Sequence, residues 1–160
     1  MNALTVLSSG LLTTVQDLGR EGYGPIGVSA SGAADAVSVR IGNKLVGNPE
    51  RAAALEMTLL GGAFQFVQAA TIAITGSDFG ATIDDRSLPL NTAMSIKAGQ
   101  SIKFGPTKSG ARAYLCVRGG IVVPLARSGR ARAAPFRSPR RSVRASRVPP
   151  RGSRPAPACP

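Results

Sequence analysis

From residue 53 onward the chain breaks into short β-prone runs at roughly ten-residue spacing, each closed by a glycine or aspartate turn. That rhythm limits the possible folds more than any other feature. The runs cover 54–59, 63–67, 71–75, 81–84, 93–97, 101–104 and 112–117. The turns fall at Gly61-Gly62, Gly76, Asp84-Asp85, Gly99 and Gly110. Phe64 and Phe66 alternate with Gln65, and Ile72 and Ile74 with Ala73, which predicts half-buried strands. Seven or more such strands with a single helical stretch predict a β-barrel or sandwich rather than alternating βαβ units.

Before residue 53 the reading is different. Runs 3–7 and 11–15 are rich in Leu, Val and Thr and flank Ser8-Ser9-Gly10, a pattern that predicts a hairpin. A polar cluster of Gln16, Asp17 and Arg20 follows, then a glycine-rich loop from Gly19 to about Gly32. The helix comes next, with Ser31 as the expected N-cap and Asp35 in its first turn, where a negative charge suits the helix dipole. Ala34, Val37, Ile41 and Leu45 share one stripe at helical spacing, which predicts the core-facing side. Asp35, Arg40 and Asn43 fall on the opposite arc and read as an exposed face or a ligand-facing one. Gly47 and Pro49 supply the stop.

Composition matters chiefly through its distribution. The formal charge of +12 would suggest a polyanionic partner if it were spread over the fold. Instead, residues 1–124 hold ten basic and eight acidic side chains, while residues 125–160 hold ten arginines and no acid. Of those last 36 residues, 31 are Arg, Pro, Ala, Ser or Gly, so apolar periodicity is lost and the segment reads as disordered. Two origins fit it: a gene read out of frame, since GC-rich codons specify these residues, or a basic tail that neutralises phosphates non-specifically. With Phe136 its single aromatic, the tail offers little for base stacking. The domain division expected is therefore 1–124 folded and 125–160 tail.

Histidine is absent, which removes the commonest general base and the usual zinc ligand sets. Cys116 and Cys159 fit no metal spacing or disulfide framework, and Cys116 reads as a buried thiol with no base to activate it. No secretory pattern or membrane-length apolar run is present, so a cytoplasmic location is expected. Gly22-Tyr23-Gly24-Pro25-Ile26-Gly27 matches a dinucleotide fingerprint literally. However, the helix starts too late, Pro25 interrupts, and the surrounding βαβ units are missing. No phosphate loop of the G-x-x-x-x-G-K type occurs. Asp17 and Arg20 can orient a carboxylate substrate or pin their own loop. Glu56, inside an apolar strand, points to solvent by alternation or is buried against a partner such as an arginine.

An ordered series of motifs spanning about 120 residues carries a family resemblance. It comprises T-T-V-Q-D-L-G-R-E-G-Y (13–23), S-G-A-A-D (31–35), N-K-L-V-G-N (43–48), A-A-L-E-M-T-L (53–59), I-T-G-S-D (74–78) and A-R-A-Y-L-C-V-R-G-G-I-V-V-P (111–124). The chain thereby resembles the N-terminal part of the family of 5-oxoprolinase C subunits, also called allophanate hydrolase subunit 2, KipA-like protein or biotin-dependent carboxyltransferase A–B subdomains. The resemblance implies a mainly β, cyclophilin-like barrel with one main helix, followed here by the disordered tail. It further implies a subunit of an ATP-dependent 5-oxoprolinase or a biotin-dependent carboxyltransferase, acting on an amide or lactam substrate. Its partners would be 5-oxoprolinase subunits A and B, or carboxyltransferase C–D subdomains.

Matched residues become site candidates by the same resemblance. Gln16, Asp17, Arg20 and Glu56 are carried over as catalytic, and Ser31, Asp35, Arg40 and Asn43 as substrate-binding. No metal is implied, and ATP or biotin would belong to the assembled enzyme rather than to this chain alone. After Pro124 the family continues with an L-G-S-R-[SA]-T type segment and a second half of comparable length. Here Leu125-Ala126-Arg127-Ser128-Gly129 follows instead. A truncated chain, inactive by itself, is therefore expected. The alternative role is a regulatory protein that binds a kinase inhibitor resembling the B subunit of 5-oxoprolinase.

Overall fold

The computed structural model describes residues 2–122 and 142–145. The strands are β1 (Asn2–Ser8), β2 (Leu12–Gln16), β3 (Ala54–Thr58), β4 (Ala63–Phe66), β5 (Ala70–Gly76) and β6 (Thr82–Ile83). They continue with β7 (Arg86–Ser87), β8 (Ala93–Ile96), β9 (Ser101–Lys103), β10 (Arg112–Val117), β11 (Ile121–Val122) and β12 (Ser142–Ala145). One α-helix, α1 (Ala36–Val46), and a 3-10 turn at Gly24–Ile26 complete the set. The strands form two antiparallel sheets, ordered β11-β12-β1-β4-β9-β6-β7 and β2-β3-β10-β5-β8. The mainly β fold with one helix is thus the one expected.

A single core joins the sheets. Leu4, Val6, Phe64, Phe66 and Ile102 come from the first, and Leu55, Met57, Ile72, Ile74 and Leu115 from the second. Phe64 and Phe104 meet edge to face, with ring centroids 6.0 Å apart. Each fully buried aliphatic or aromatic side chain stabilises the fold by about 1.5–3 kcal/mol relative to exposure. The core is therefore the dominant favourable term.

Three expectations are corrected. The predicted hairpin of the first two strands does not form, because β1 pairs with β4 and β12 while β2 pairs with β3 in the other sheet. Gly10 makes the crossing with φ +63, and a Cβ there would lie 2.3 Å from the Leu60 carbonyl oxygen. The Leu11 amide donates to that same oxygen at 3.1 Å, so the turn docks on residues 60–61 instead of pairing its own flanks.

Secondly, Ile72, Ala73 and Ile74 are all buried, so β5 is not half-buried. Helix α1 packs on β5 and β10 and covers the face that alternation assigns to solvent. Phe64 and Phe66, away from the helix, keep the expected alternation with a partly exposed Gln65.

The third correction concerns the helix. The face it buries is Val39, Gly42, Asn43 and Val46, while Val37, Ile41 and Leu45 of the predicted core stripe are exposed. Close approach decides this: a Cβ on Gly42 would stand 2.4 Å from Cys116 Sγ, so the backbone of α1 lies against β10 where a larger residue would hold it off. Asp35, not Ser31, is the N-cap, accepting from the Ser38 amide through Oδ1 at 3.0 Å. Gly47, at φ 76, ends the helix as expected.

Most of the segment expected to be disordered, 125–160, lies outside the described residues. Within it, 142–145 form β12 between β1 and β11, with Leu4 opposite Val143 and Ile121 opposite Ala145. An open strand edge offers backbone donors and acceptors that any proline-free extended stretch can satisfy. Compositional bias alone therefore does not forbid the pairing.

Candidate functional site

Register aligns four polar side chains across the second sheet. Thr14 of β2 is opposite Glu56 of β3, Glu56 is opposite Tyr114 of β10, and Tyr114 is opposite Thr75 of β5. All four are buried. The loop before α1 and the first turn of the helix cover this row and satisfy it. Glu56 Oε2 accepts from the Ala34 amide at 2.9 Å and from the Tyr114 hydroxyl at 2.9 Å. The Tyr114 hydroxyl in turn accepts from the Asp35 amide at 2.7 Å. Thr75 donates to the Ser38 carbonyl at 2.8 Å, and Gln16 Nε2 donates to Thr14 Oγ1 at 3.2 Å.

Charge at the row is balanced from one side. Arg112 Nε lies 3.9 Å from Glu56 Oε1, and the Arg112 guanidinium also hydrogen-bonds Thr58 Oγ1. Of the two readings of Glu56, burial beside an arginine is the one observed. Burial pushes the Tyr114 hydroxyl far above its ordinary value, so it stays protonated and able to donate to Glu56. Asp35 is held below the ordinary carboxylate range, first by the Ser38 hydroxyl at 2.5 Å and then by the Ser38 amide. Burial pushes the Cys116 thiol up to about 12, which makes it an inert neighbour of the helix.

The loop itself is tied down by its backbone. Asp17 Oδ1 accepts from the Gly19 amide at 2.7 Å, Asp17 O accepts from the Ala33 amide at 2.8 Å, and the Arg20 amide donates to Ala30 O at 2.9 Å. Ser31 has φ 53, and its amide donates to Ser29 Oγ at 3.2 Å. Gly19 and Gly32 abut so closely that a Cβ on Gly32 would lie 2.6 Å from the Gly19 nitrogen. Arg51 adds a bridge to Glu21 at 2.7 Å. The Arg20 side chain is exposed and has no hydrogen bond or ion pair among the described residues.

The eight candidates therefore divide. Glu56 and Asp35 meet through Tyr114 and the Ala34–Asp35 backbone, with Gln16 at the end of the same row. Asp17, Arg20 and Ser31 share the braced loop beside them. Arg40 and Asn43 belong elsewhere. Arg40 is exposed and 3.7 Å from Glu50. Asn43 is fully buried, its Nδ2 donating to Glu50 O at 3.1 Å and Ala52 O at 2.7 Å, which corrects its placement on an exposed helix face. A polar side chain on the buried face is stable there because it satisfies backbone carbonyls of the turn after the helix.

Sequence reasoning did not single out Tyr114, Ser38 or Asn48, and it met Thr75 only at the head of Thr75-Gly76-Ser77-Asp78, which reads as a ligand-site rim or an ordinary turn. Tyr114 and Asn48 lay inside quoted motifs, but the Tyr114 partners Asp35 and Glu56 are 79 and 58 residues away, and the Asn48 partners Val117 and Gly119 are 69 and 71 away. Asn48 bonds Asn43 Oδ1, Val117 O and the Gly119 amide. A groove of about 490 Å³ lined by Thr82, Asp84, Asp85, Gln100 and Lys103 contains none of the eight candidates. Among the described residues no three His, Cys, Asp or Glu side chains gather to hold a metal, and no helix is long and apolar enough to cross a membrane.

A sequence profile described as "Carboxyltransferase domain, subdomain A and B" matches residues 26–137. The chain belongs to this family. The carboxyltransferase-domain match includes Ser31, Asp35, Arg40, Asn43, Glu56 and Tyr114, and starts after Gln16, Asp17 and Arg20. Urea amidolyase from Saccharomyces cerevisiae is 42% identical over 123 residues, covering 76% of this chain and 7% of the yeast protein. The C subunit of 5-oxoprolinase from Escherichia coli is 40% identical over 121 residues, covering 76% of this chain and 39% of the bacterial protein. The crystal structure of Kluyveromyces lactis urea carboxylase matches with a TM-score of 0.73 and 41% identity, over 76% of this chain and 11% of the crystallised one. This carboxyltransferase-family chain thus spans well under half the length of each of these proteins.

Proposed function

We propose that this chain supplies one wall of a composite active site in an enzyme of the carboxyltransferase or 5-oxoprolinase type, acting on an amide, lactam or urea-like substrate with partner subunits. The observation that carries the reading is the exposed Arg20 guanidinium on a loop braced by Asp17, Gly19 and Gly32 and seated on the buried Glu56–Tyr114 pair. A guanidinium carried on a braced backbone suits a substrate carboxylate or a polarised carbonyl oxygen, through paired N–H donors. Gln16, at the end of β2 four residues before it, supplies a further amide acceptor. In this reading Glu56 and Asp35 are positioning residues, since their oxygens already serve the protein's own donors.

Among the described residues, the two features most suited to a phosphate are already occupied or closed. The N-terminus of α1, the natural anion site of a helix, is taken by the Asp35 carboxylate. The Gly22–Gly27 loop closes on itself through a 3-10 turn instead of opening the helix. ATP and biotin are accordingly assigned to partner subunits in this proposal, and the chain alone has no turnover.

The test is co-expression with E. coli 5-oxoprolinase subunits A and B, followed by an assay of ATP-dependent loss of 5-oxoproline. The chain by itself should show none. Activity restored when the part of the E. coli C subunit outside the matched stretch is added, and lost again with Arg20→Ala, supports the composite site. Turnover by the isolated chain, or full activity of the Arg20→Ala variant, would sink it.

A further inference from the structure

Helix α1 turns three large apolar side chains away from the protein. Val37, Ile41 and Leu45 are 61%, 44% and 37% exposed. They recur every four residues, so they form one continuous stripe along the outer side of the helix. The opposite side of α1 is locked to the sheet by Gly42 against Cys116 and by the Asn43 hydrogen bonds. The stripe cannot rotate inward. Isolated exposed apolar residues are ordinary, but a line of them on a rigid helix marks a contact surface. Arg40 and Lys44 run alongside it; Arg40 lies 3.7 Å from Glu50, while Lys44 has no ion pair among the described residues.

The flanking cations choose between occupants. Residues 125–160 carry ten arginines and no acid, so the chain's own tail would bring like charge to the unpaired Lys44. A second copy docked antiparallel about a twofold axis would set Lys44 on the same flank as its counterpart. A partner that presents an apolar strip edged by carboxylates satisfies both stripe and charge. The relatives contain ample chain to supply it, since the match covers 39% of the E. coli 5-oxoprolinase C subunit and 7% of yeast urea amidolyase.

We propose that the outer face of α1 is the docking surface for the remaining part of the family enzyme, which meets Val37, Ile41 and Leu45 with an apolar strip edged by Asp or Glu. This rests on family membership and on the exposed stripe. It does not depend on the substrate assigned above, and binding without turnover would leave it standing.

In the test, the full chain is mixed with a polypeptide comprising the part of the E. coli 5-oxoprolinase C subunit outside the matched stretch. Association is followed by sedimentation velocity and titration calorimetry. Co-expression and co-purification provide a second format, in which the remainder can fold against its partner. The wild-type chain should form a complex, and Ile41→Asp and Leu45→Asp should each weaken it by about tenfold or more. Lys44→Glu should weaken it with a reduced salt dependence, while Lys97→Glu, just after β8 and off the helix, should bind as wild type. Thermal melts should show every variant folded, with Lys44→Glu and Leu45→Asp lowered slightly by acid in the last turn of α1. The proposal is overturned by no complex in either format, by variants that bind unchanged, or by a wild-type homodimer that Ile41→Asp dissociates.

Discussion

The Tyr114 hydroxyl stands between Glu56 and the start of α1, donating to Glu56 Oε2 at 2.9 Å while accepting from the Asp35 amide at 2.7 Å. One phenol oxygen thus couples a buried carboxylate on β3 to the first turn of the helix. Removing it leaves two buried partners short of a hydrogen bond. Tyr114→Phe should destabilise the fold by about 1–3 kcal/mol. Hydrogen exchange should speed up at residues 31–36 before it does in the core strands. Unchanged exchange there would show that the coupling has no energetic content.

Asn43→Ala should cost about 2–4 kcal/mol, since it strips donors from two carbonyls and an acceptor from Asn48 in one step. Urea denaturation is the measurement. Arg40→Ala, one turn away and exposed, should change stability by less than about 0.5 kcal/mol. Similar losses for both would contradict the assignment of Asn43 to the buried face.

Asp35 links stability to pH. Its carboxyl is held below the ordinary 3.8 by the Ser38 hydroxyl and amide, so the folded state favours the ionised form. The resulting stabilisation is present above 3.8 and is lost as pH falls through the lowered folded value. Asp35→Ala should therefore cost about 1 kcal/mol near neutral pH. The gap between wild type and variant should shrink on acidification below 3.8, read from denaturant midpoints across the acid range. A gap that widens there would reverse the sign of the argument.

Gly42 and Cys116 make a suppressor pair. A Cβ at Gly42 would stand 2.4 Å from Cys116 Sγ and 3.1 Å from Thr75 Oγ1. Gly42→Ala should destabilise by about 1–3 kcal/mol through overpacking, despite alanine's better helix propensity. Adding Cys116→Ala removes the nearest atom and should recover part of that loss, as thermal melts of the double variant would show. Failure to recover any of it would place the strain elsewhere.

The strands were legible because their signals are local. Alternation at Phe64–Phe66 and glycine turns at Gly76 and Gly99 depend on neighbours a few residues apart. The helix was legible as a helix for the same reason, through Gly47 and the periodic apolar residues. Its buried face was not. Hydrophobicity favoured Val37, Ile41 and Leu45, but the sheet selected the face carrying Gly42, where the backbone could approach Cys116, and Asn43, whose amide could satisfy Glu50 and Ala52. Likewise Glu56 announced itself as a carboxylate in an apolar run, while its partner Tyr114 depended on a strand register spanning 58 residues.

The sequence by itself determined the β-rich class, the single helix, the glycine-rich loop and the family, since each is written in short-range pattern or ordered motifs. The tertiary structure alone decided that the first two strands enter different sheets, that Thr14, Glu56, Tyr114 and Thr75 form one buried polar row, and that an apolar stripe of α1 faces outward. Those outcomes follow from close packing and from pairing every buried polar group, which are properties of elements brought together and not of any one segment.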